Sequence, residues 1–245
     1  SKLNLLTNKI DAANIATRYT YDANGNLKTI VPGSNSTISF DYDALNQPTN
    51  MADGVGTTRW AYDSMGRLQA ETGPFGTVVS NAYDDLGRLT GISFAGLSWV
   101  YEYDDLGRIT GLVAPEGAYA FTYLAQGGRR TSVLYPNGVT ETNSYDSWIR
   151  MTNLAWSVGG SNLLSIGYVH DAGDRRTNET WTTGRRLAYA YDRAYQLTNA
   201  ASTNQASDNF AYRYDKAGNP LVRRESGLGV TNVFSNLNQI VSGSW

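Results

Sequence analysis

At 245 residues, with 41% hydrophobic and only 17% charged side chains, the chain draws its polarity from Asn, Thr, Ser and Gly, the residues of strands and turns. A net charge of -2 with scattered arginines leaves no basic stripe to neutralise phosphates, which argues against a nucleic-acid partner. The absence of cysteine excludes disulfides and thiolate metal sites, and no apolar run approaches the roughly 18 residues of a membrane-spanning helix.

From the N-terminus, Ser1-Lys2-Leu3 reads as the end of a turn entering a second strand, with no initiator Met and no leader peptide, so the expectation is a portion of a longer polypeptide. Tyr-Asp pairs follow at Tyr21-Asp22, Tyr42-Asp43, Tyr62-Asp63, Tyr83-Asp84 and Tyr103-Asp104, spaced by 21, 20, 21 and 20 residues. The series resumes at Tyr145-Asp146, Tyr191-Asp192 and Tyr214-Asp215. Degenerate copies at Tyr123-Leu124, His170-Asp171 and Phe234-Ser235 complete eleven units. Second turn signals fall between them at Val31-Pro32-Gly33, Thr72-Gly73-Pro74, Ala114-Pro115-Glu116-Gly117 and Tyr135-Pro136-Asn137-Gly138. Each unit therefore gives two strands and the chain about 22, with no sustained helical period and no linker, a single all-β repeat domain over 1–245.

Each part of the motif has a mechanical reason. An Asp carboxylate can fold onto a backbone N–H two residues on and open a turn. Gly25, Gly66, Gly87, Gly107, Gly127 and Gly218 recur where a hairpin needs positive φ, and Asn46, Asp174 and Asn238 take that place elsewhere. Ile149 and Tyr195 do not suit it, so those two turns are expected to be built differently. Upstream, Trp99, Tyr101 and Tyr103 alternate with Val100, Glu102 and Asp104, as a strand requires. Aromatic residues two before the repeat Tyr, among them Tyr19, Phe40, Trp60, Phe121, Tyr168, Tyr189 and Tyr212, predict two aromatic columns that fix the register. Asp84 with Arg88 and Asp104 with Arg108 read as exposed or half-exposed ion pairs of small individual effect.

Tyr83-Asp84-Asp85-Leu86-Gly87-Arg88-Leu89-Thr90, echoed at Tyr103 to Thr110, resembles the YD repeat of the Rhs family, and the likeness extends over essentially the whole chain. The resemblance implies a long sheet of hairpins spiralling into a hollow shell, as in bacterial polymorphic toxins, Tc-toxin C subunits and teneurins, exported or at the cell surface. In the toxins it implies a shell that holds a C-terminal toxin segment and releases it by autoproteolysis. Here none of the six prolines follows an Asp, so the family's Asp-Pro self-cleavage motif is missing from this stretch, and the copy at Phe234 leaves only five residues after Ile240. The partners implied are further repeats or a second copy paired at an edge strand, with an encapsulated polypeptide or a glycan as possible occupants.

No catalytic, cofactor or metal site is assigned. The one histidine, His170, could act as a general base, but it stands in the slot of the repeat Tyr and reads as an aromatic substitute. Periodic Asp residues invite a calcium reading, yet a residue that every hairpin demands is explained by turn formation. Trp156, Trp181 and Trp245 lie off the columns, where exposed aromatics could stack sugars, and this keeps an adhesion or glycan-binding surface as the alternative to a structural wall. Asn35 and Asn178 match the glycosylation pattern, as chance allows in so Asn- and Thr-rich a chain. About 22 strands at roughly 4.8 Å would roll into a circle only about 33 Å across, too narrow for folded cargo. The expectation is therefore part of a wall, an open spiral or narrow solenoid, with unpaired end strands.

Overall fold

The computed structural model describes residues 5–33, 36–203, 209–225, 228–235 and 239–242. Asn35, Asn238 and Trp245 lie outside the described residues. The strands gather into two compact units, Ser1–Ala118 and Tyr119–Trp245.

The first unit holds β1 (Asn8–Ile10), β2 (Ala16–Tyr21), β3 (Leu27–Val31), β4 (Ile38–Tyr42), β5 (Pro48–Ala52) and β6 (Thr57–Tyr62). It continues with β7 (Leu68–Thr72), β8 (Val78–Tyr83), β9 (Leu89–Phe94), β10 (Leu97–Tyr103) and β11 (Ile109–Ala114). The second holds most of β12 (Gly117–Tyr123), then β13 (Arg130–Leu134), β14 (Val139–Tyr145), β15 (Met151–Val158), β16 (Ser161–His170) and β17 (Arg176–Trp181). After these come β18 (Arg186–Tyr191), β19 (Leu197–Ser202), β20 (Phe210–Tyr214), β21 (Pro220–Glu225), β22 (Leu228–Thr231), β23 (Val233–Phe234) and β24 (Ile240–Ser242). The described chain is all-β, and within each unit consecutive strands pair antiparallel, as the tandem-hairpin reading predicts, except that β23 and β24 pair with each other as a separate two-stranded sheet.

Every Tyr-Asp turn follows one plan. In the best copies the Asp84 N–H donates to the Arg88 carbonyl at 3.0 Å and the Gly87 N–H to the Asp84 carbonyl at 3.0 Å, a tight turn followed by one left-handed residue. The glycine there has φ of +81° at Gly87 and +77° at Gly107. The register then slips by one residue just before the repeat Tyr, so that Tyr103 faces Ile109 while Glu102 faces Gly111. The same slip precedes Tyr21, Tyr42, Tyr62, Tyr83, Tyr145, His170, Tyr191 and Tyr214. Each Tyr-Asp hairpin thus carries a β-bulge, which bends the strand and re-aims the side chain beside it.

The expectation of different turns at Ile149 and Tyr195 is corrected. Both residues adopt the left-handed conformation, φ +62° and +65°, with the hydrogen bonds of the glycine turns. Their side chains find compensation on the turn before. A Cβ at Gly127 would meet Ile149 Cδ1 at 3.1 Å, and one at Gly173 would meet the Tyr195 ring at 3.1 Å. The turn that differs is the one at Leu124, which lacks the Asp, closes one residue later on the Arg129 carbonyl, and uses two left-handed glycines, Gly127 and Gly128.

Alternation holds along β10, where Trp99, Tyr101 and Tyr103 are half-buried and Ser98, Val100 and Glu102 exposed. The core is thin. Among the described residues the buried apolar side chains are Ala114, Val133, Ile166, Leu187 and Ala200, and only Ala114 belongs to the first unit.

Candidate functional site

The repeated turns form the one chemical pattern that recurs through the chain, and three kinds of side chain build it. In the Asp-bearing turns one carboxylate oxygen, Oδ1, accepts from the backbone N–H groups two and four residues on, at 2.8–3.0 Å, as at Asp22, Asp43, Asp63, Asp84, Asp104, Asp146, Asp171, Asp192 and Asp215. The second oxygen is met by the side chain four residues on. Arg67, Arg88, Arg108, Arg150 and Arg175 place Nε at 2.6–2.7 Å from it. Asn26 and Asn219 bring a side-chain amide to the same oxygen of Asp22 and Asp215.

That side chain also reaches forward to the next turn. Arg67 Nη1 donates to the Asp84 carbonyl at 2.9 Å, Arg88 to Asp104 at 3.1 Å, Arg150 to Asp171 at 2.8 Å and Arg175 to Asp192 at 3.3 Å. Gln47 donates to the Gly66 carbonyl at 2.7 Å, and Asn26 to Asn46 Oδ1 at 2.7 Å. The pairs expected to be exposed or half-exposed are half-exposed, and their arginines in addition link one hairpin to the next. The position four after the Asp carries Asn, Gln or Arg in turn after turn, a periodicity visible in the sequence but read there only as local Asp-Arg pairs.

The repeat Tyr reaches the other way. Its hydroxyl donates to the backbone carbonyl that opens the returning strand of the preceding hairpin: Tyr21 to Leu6, Tyr42 to Leu27, Tyr62 to Pro48, Tyr83 to Leu68 and Tyr103 to Leu89. Tyr145 to Arg130, Tyr191 to Arg176 and Tyr214 to Leu197 repeat the contact, all eight at 2.6–2.9 Å. Within the expected aromatic columns, successive repeat tyrosines are two strands, about 9.6 Å, apart and do not stack directly. An arginine lies between them instead: Arg67 sits 4.7 Å over the Tyr83 ring, Arg88 4.7 Å over Tyr103 and Arg175 5.3 Å over Tyr191.

The electrostatics follow from these contacts. The backbone N–H groups of Arg67, Arg108 and Arg175, joined by their side chains, hold Asp63, Asp104 and Asp171 below the ordinary carboxylate range against partial desolvation. Side-chain amides of Asn26 and Asn219 lead the same shift at Asp22 and Asp215. At Asp84 and Asp146 desolvation is the largest single effect and acts upward, but the combined hydrogen bonds and nearby arginine still bring the carboxyl down. Burial raises Tyr42, Tyr62 and Tyr214.

A second polar cluster, which the sequence did not announce, lies on one face of the second unit. Buried Glu179 accepts from the Trp181 indole N–H and, at 3.2 Å, from the Tyr189 hydroxyl, while Arg176 approaches it to 3.4 Å and lies 3.9 Å over Tyr168. Desolvation first, and Glu179 second, push the Tyr189 phenol up to about 12. Trp181 is thus tied into this cluster under Arg185, and Trp156 is half-buried in β15, so neither belongs to an exposed sugar-stacking row. Among the described residues the aromatics that face solvent are Phe75, Trp148 and Tyr195 at turn tips and Phe94 at the end of β9. His170 stands at the end of β16 in the repeat-Tyr slot, as expected.

Two solved structures give the scale of the likeness to known folds. "Crystal Structure of TcdB2-TccC3-Cdc42" matches 99% of this chain and 16% of that one, at 13% identity and a TM-score of 0.44. A structure of the Photorhabdus luminescens Tc holotoxin pore matches 94% and 15%, at 14% identity and a TM-score of 0.43. The chain therefore spans about one-sixth of the length of these structures. No curated protein matches it. The model of the teneurin YD-shell matches residues 3–111 and 52–217, overlapping spans that take in most of the sequence, and the chain belongs to the teneurin YD-shell family.

Proposed function

We propose that the chain is a non-catalytic stretch of shell wall from a larger exported or cell-surface protein of the toxin type, joined to further repeats of its parent chain. The observation that carries this reading is the reciprocal linkage of the turns, in which most of the described Tyr-Asp hairpins give an Arg, Gln or Asn donor to the next and a Tyr hydroxyl to the one before. Such an arrangement uses the polar side chains of successive turns for mechanical continuity. The carboxylates that might serve chemistry are saturated by backbone N–H and guanidinium groups.

The wall reading also accounts for the apolar side chains left open on the sheet, such as Val100, Val113 and Val169, since a wall meets further polypeptide on its faces and edges. The occupants proposed are neighbouring repeats, a second copy at an unpaired edge strand and an enclosed polypeptide. Sedimentation at several concentrations with small-angle scattering tests the proposal. Concentration-dependent association, and no internal space wide enough for a folded domain, are expected; a strictly monomeric particle enclosing such a space overturns it.

A further inference from the structure

Two departures from the repeat meet at one place. The position two after the turn Asp carries Asn24, Leu45, Met65, Leu86 and Leu106 in the first unit but Trp148 in the Asp146 turn, 77% exposed. In the next hairpin His170 replaces the repeat Tyr. Between them Trp148, Arg150, His170, Asp171 and Ala172 line a hollow of about 280 Å³. By the pattern of the other hairpins a Tyr here would donate to the carbonyl of Met151. The shorter imidazole makes no hydrogen bond to a described residue, so both ring nitrogens are free to meet a ligand.

We propose that this hollow binds one neutral pyranose ring. Trp148 keeps most of its indole in solvent with Arg150 6.0 Å over the ring, and the open indole surface offers a flat apolar platform on which the C–H face of a sugar stacks, while the half-buried imidazole beside it can both donate to and accept from hydroxyls. The volume is just under the roughly 300–1,000 Å³ of pockets for drug-sized ligands, which fits a single ring and not an oligosaccharide. Charge selects the class. Arg150 is already paired with Asp146 at 2.7 Å and Asp174 at 3.1 Å, and Arg175 with Asp171 at 2.7 Å, so three carboxylates face two guanidiniums and an acidic sugar is disfavoured. The proposal does not depend on the shell role, since a wall segment with or without cargo carries the same turn.

The chain's one histidine gives a single imidazole signal, so the test is nuclear magnetic resonance of His170 and of the Trp148 indole during titration with methyl glucoside, galactoside, mannoside and N-acetylglucosaminide. A contact of this size is expected to saturate with a dissociation constant on the order of millimolar for at least one of the four. Trp148→Ala should weaken that sugar about tenfold or more, with Trp148→Phe between it and the parent. His170→Tyr, which restores the residue of the other repeats, should abolish binding while leaving the thermal midpoint unchanged or higher. No saturation by any of the four up to on the order of 100 mM overturns the proposal. So does undiminished binding by the Trp148→Ala or His170→Tyr protein, or tighter binding of methyl glucuronide.

Discussion

The repeat Tyr shows how a residue's role depends on its last atom. Tyr103 is half-buried, so removing the ring forfeits less than the roughly 3–5 kcal/mol of a fully buried aromatic, and Tyr103→Ala is expected to cost about 2–3 kcal/mol. Its hydroxyl lies 2.6 Å from the Leu89 carbonyl, and deleting it leaves that acceptor to water or to nothing. Tyr103→Phe is therefore expected to cost about 1 kcal/mol in urea unfolding, where an unpartnered hydroxyl would cost none. The carboxylates set a pH limit. Because Asp63, Asp104 and Asp171 are depressed in the folded state, their contribution is fully present above the unfolded carboxylate value of about 3.9 and is lost as pH falls through the lower folded values. The thermal midpoint should hold level down to about pH 5 and fall below about pH 4. An Asp104→Asn protein, whose amide can still close the turn, should show a shallower fall.

At the scale of the hairpin, Gly87 and Arg88 separate turn closure from turn linkage. Gly87→Val places a β-branched side chain at φ +81° and should lower stability by more than about 1 kcal/mol, read from the urea midpoint. Arg88 bonds Asp84, reaches the Asp104 carbonyl and covers the Tyr103 ring, so Arg88→Lys, which cannot reproduce the fork, should cost about 1–2 kcal/mol. A double-mutant cycle of Arg88→Ala with Tyr103→Ala should return a coupling of about 0.5–1 kcal/mol, and additive costs would place the two hairpins out of contact. The turns themselves were legible because Asp and Gly act on their own backbone within five residues. The links between turns were not, since they join side chains to carbonyls 14 to 21 residues away, and nothing local in Arg88 or Tyr103 says which carbonyl that is. Ile149 and Tyr195 misled for a related reason: propensity disfavours them at positive φ, and contact with the preceding turn offsets it. The hollow at His170 was half legible, as a substitution in the Tyr slot but not as a neighbour of Trp148.

At the scale of the whole chain, surface is the governing quantity. The accessible area is 16037 Å², while a compact monomer of this mass exposes about 10,800 Å². Against an unfolded chain of about 39,000 Å², folding buries roughly four-fifths of what a compact protein of equal length would bury. Since the urea m-value follows buried area, it should come out about one-fifth below that of compact proteins of 245 residues, and a value at the ordinary level would mean a thicker core than Ala114, Val133, Ile166, Leu187 and Ala200 supply.

The linkage of the turns also meters one edge of the sheet and leaves the other free in length. Along the Tyr-Asp edge most of the described hairpins arrive where an Arg, Gln or Asn from behind can grasp their turn and their own Tyr can touch the hairpin they follow. At the opposite edge the connections take whatever form is to hand: the two-residue turn at Ala95-Gly96, the Pro-bearing turn from Gly73 to Thr77, the Gly159-Gly160 pair. Consecutive turn aspartates can accordingly stand 20 residues apart, as Asp84 and Asp104 do, or 25, as do Asp146 and Asp171, with the same contact re-formed at both spacings. Variation in such a chain has a sanctioned address, so a repeat can lengthen, acquire an insertion or be exchanged for another at its far end without its neighbours losing their grip.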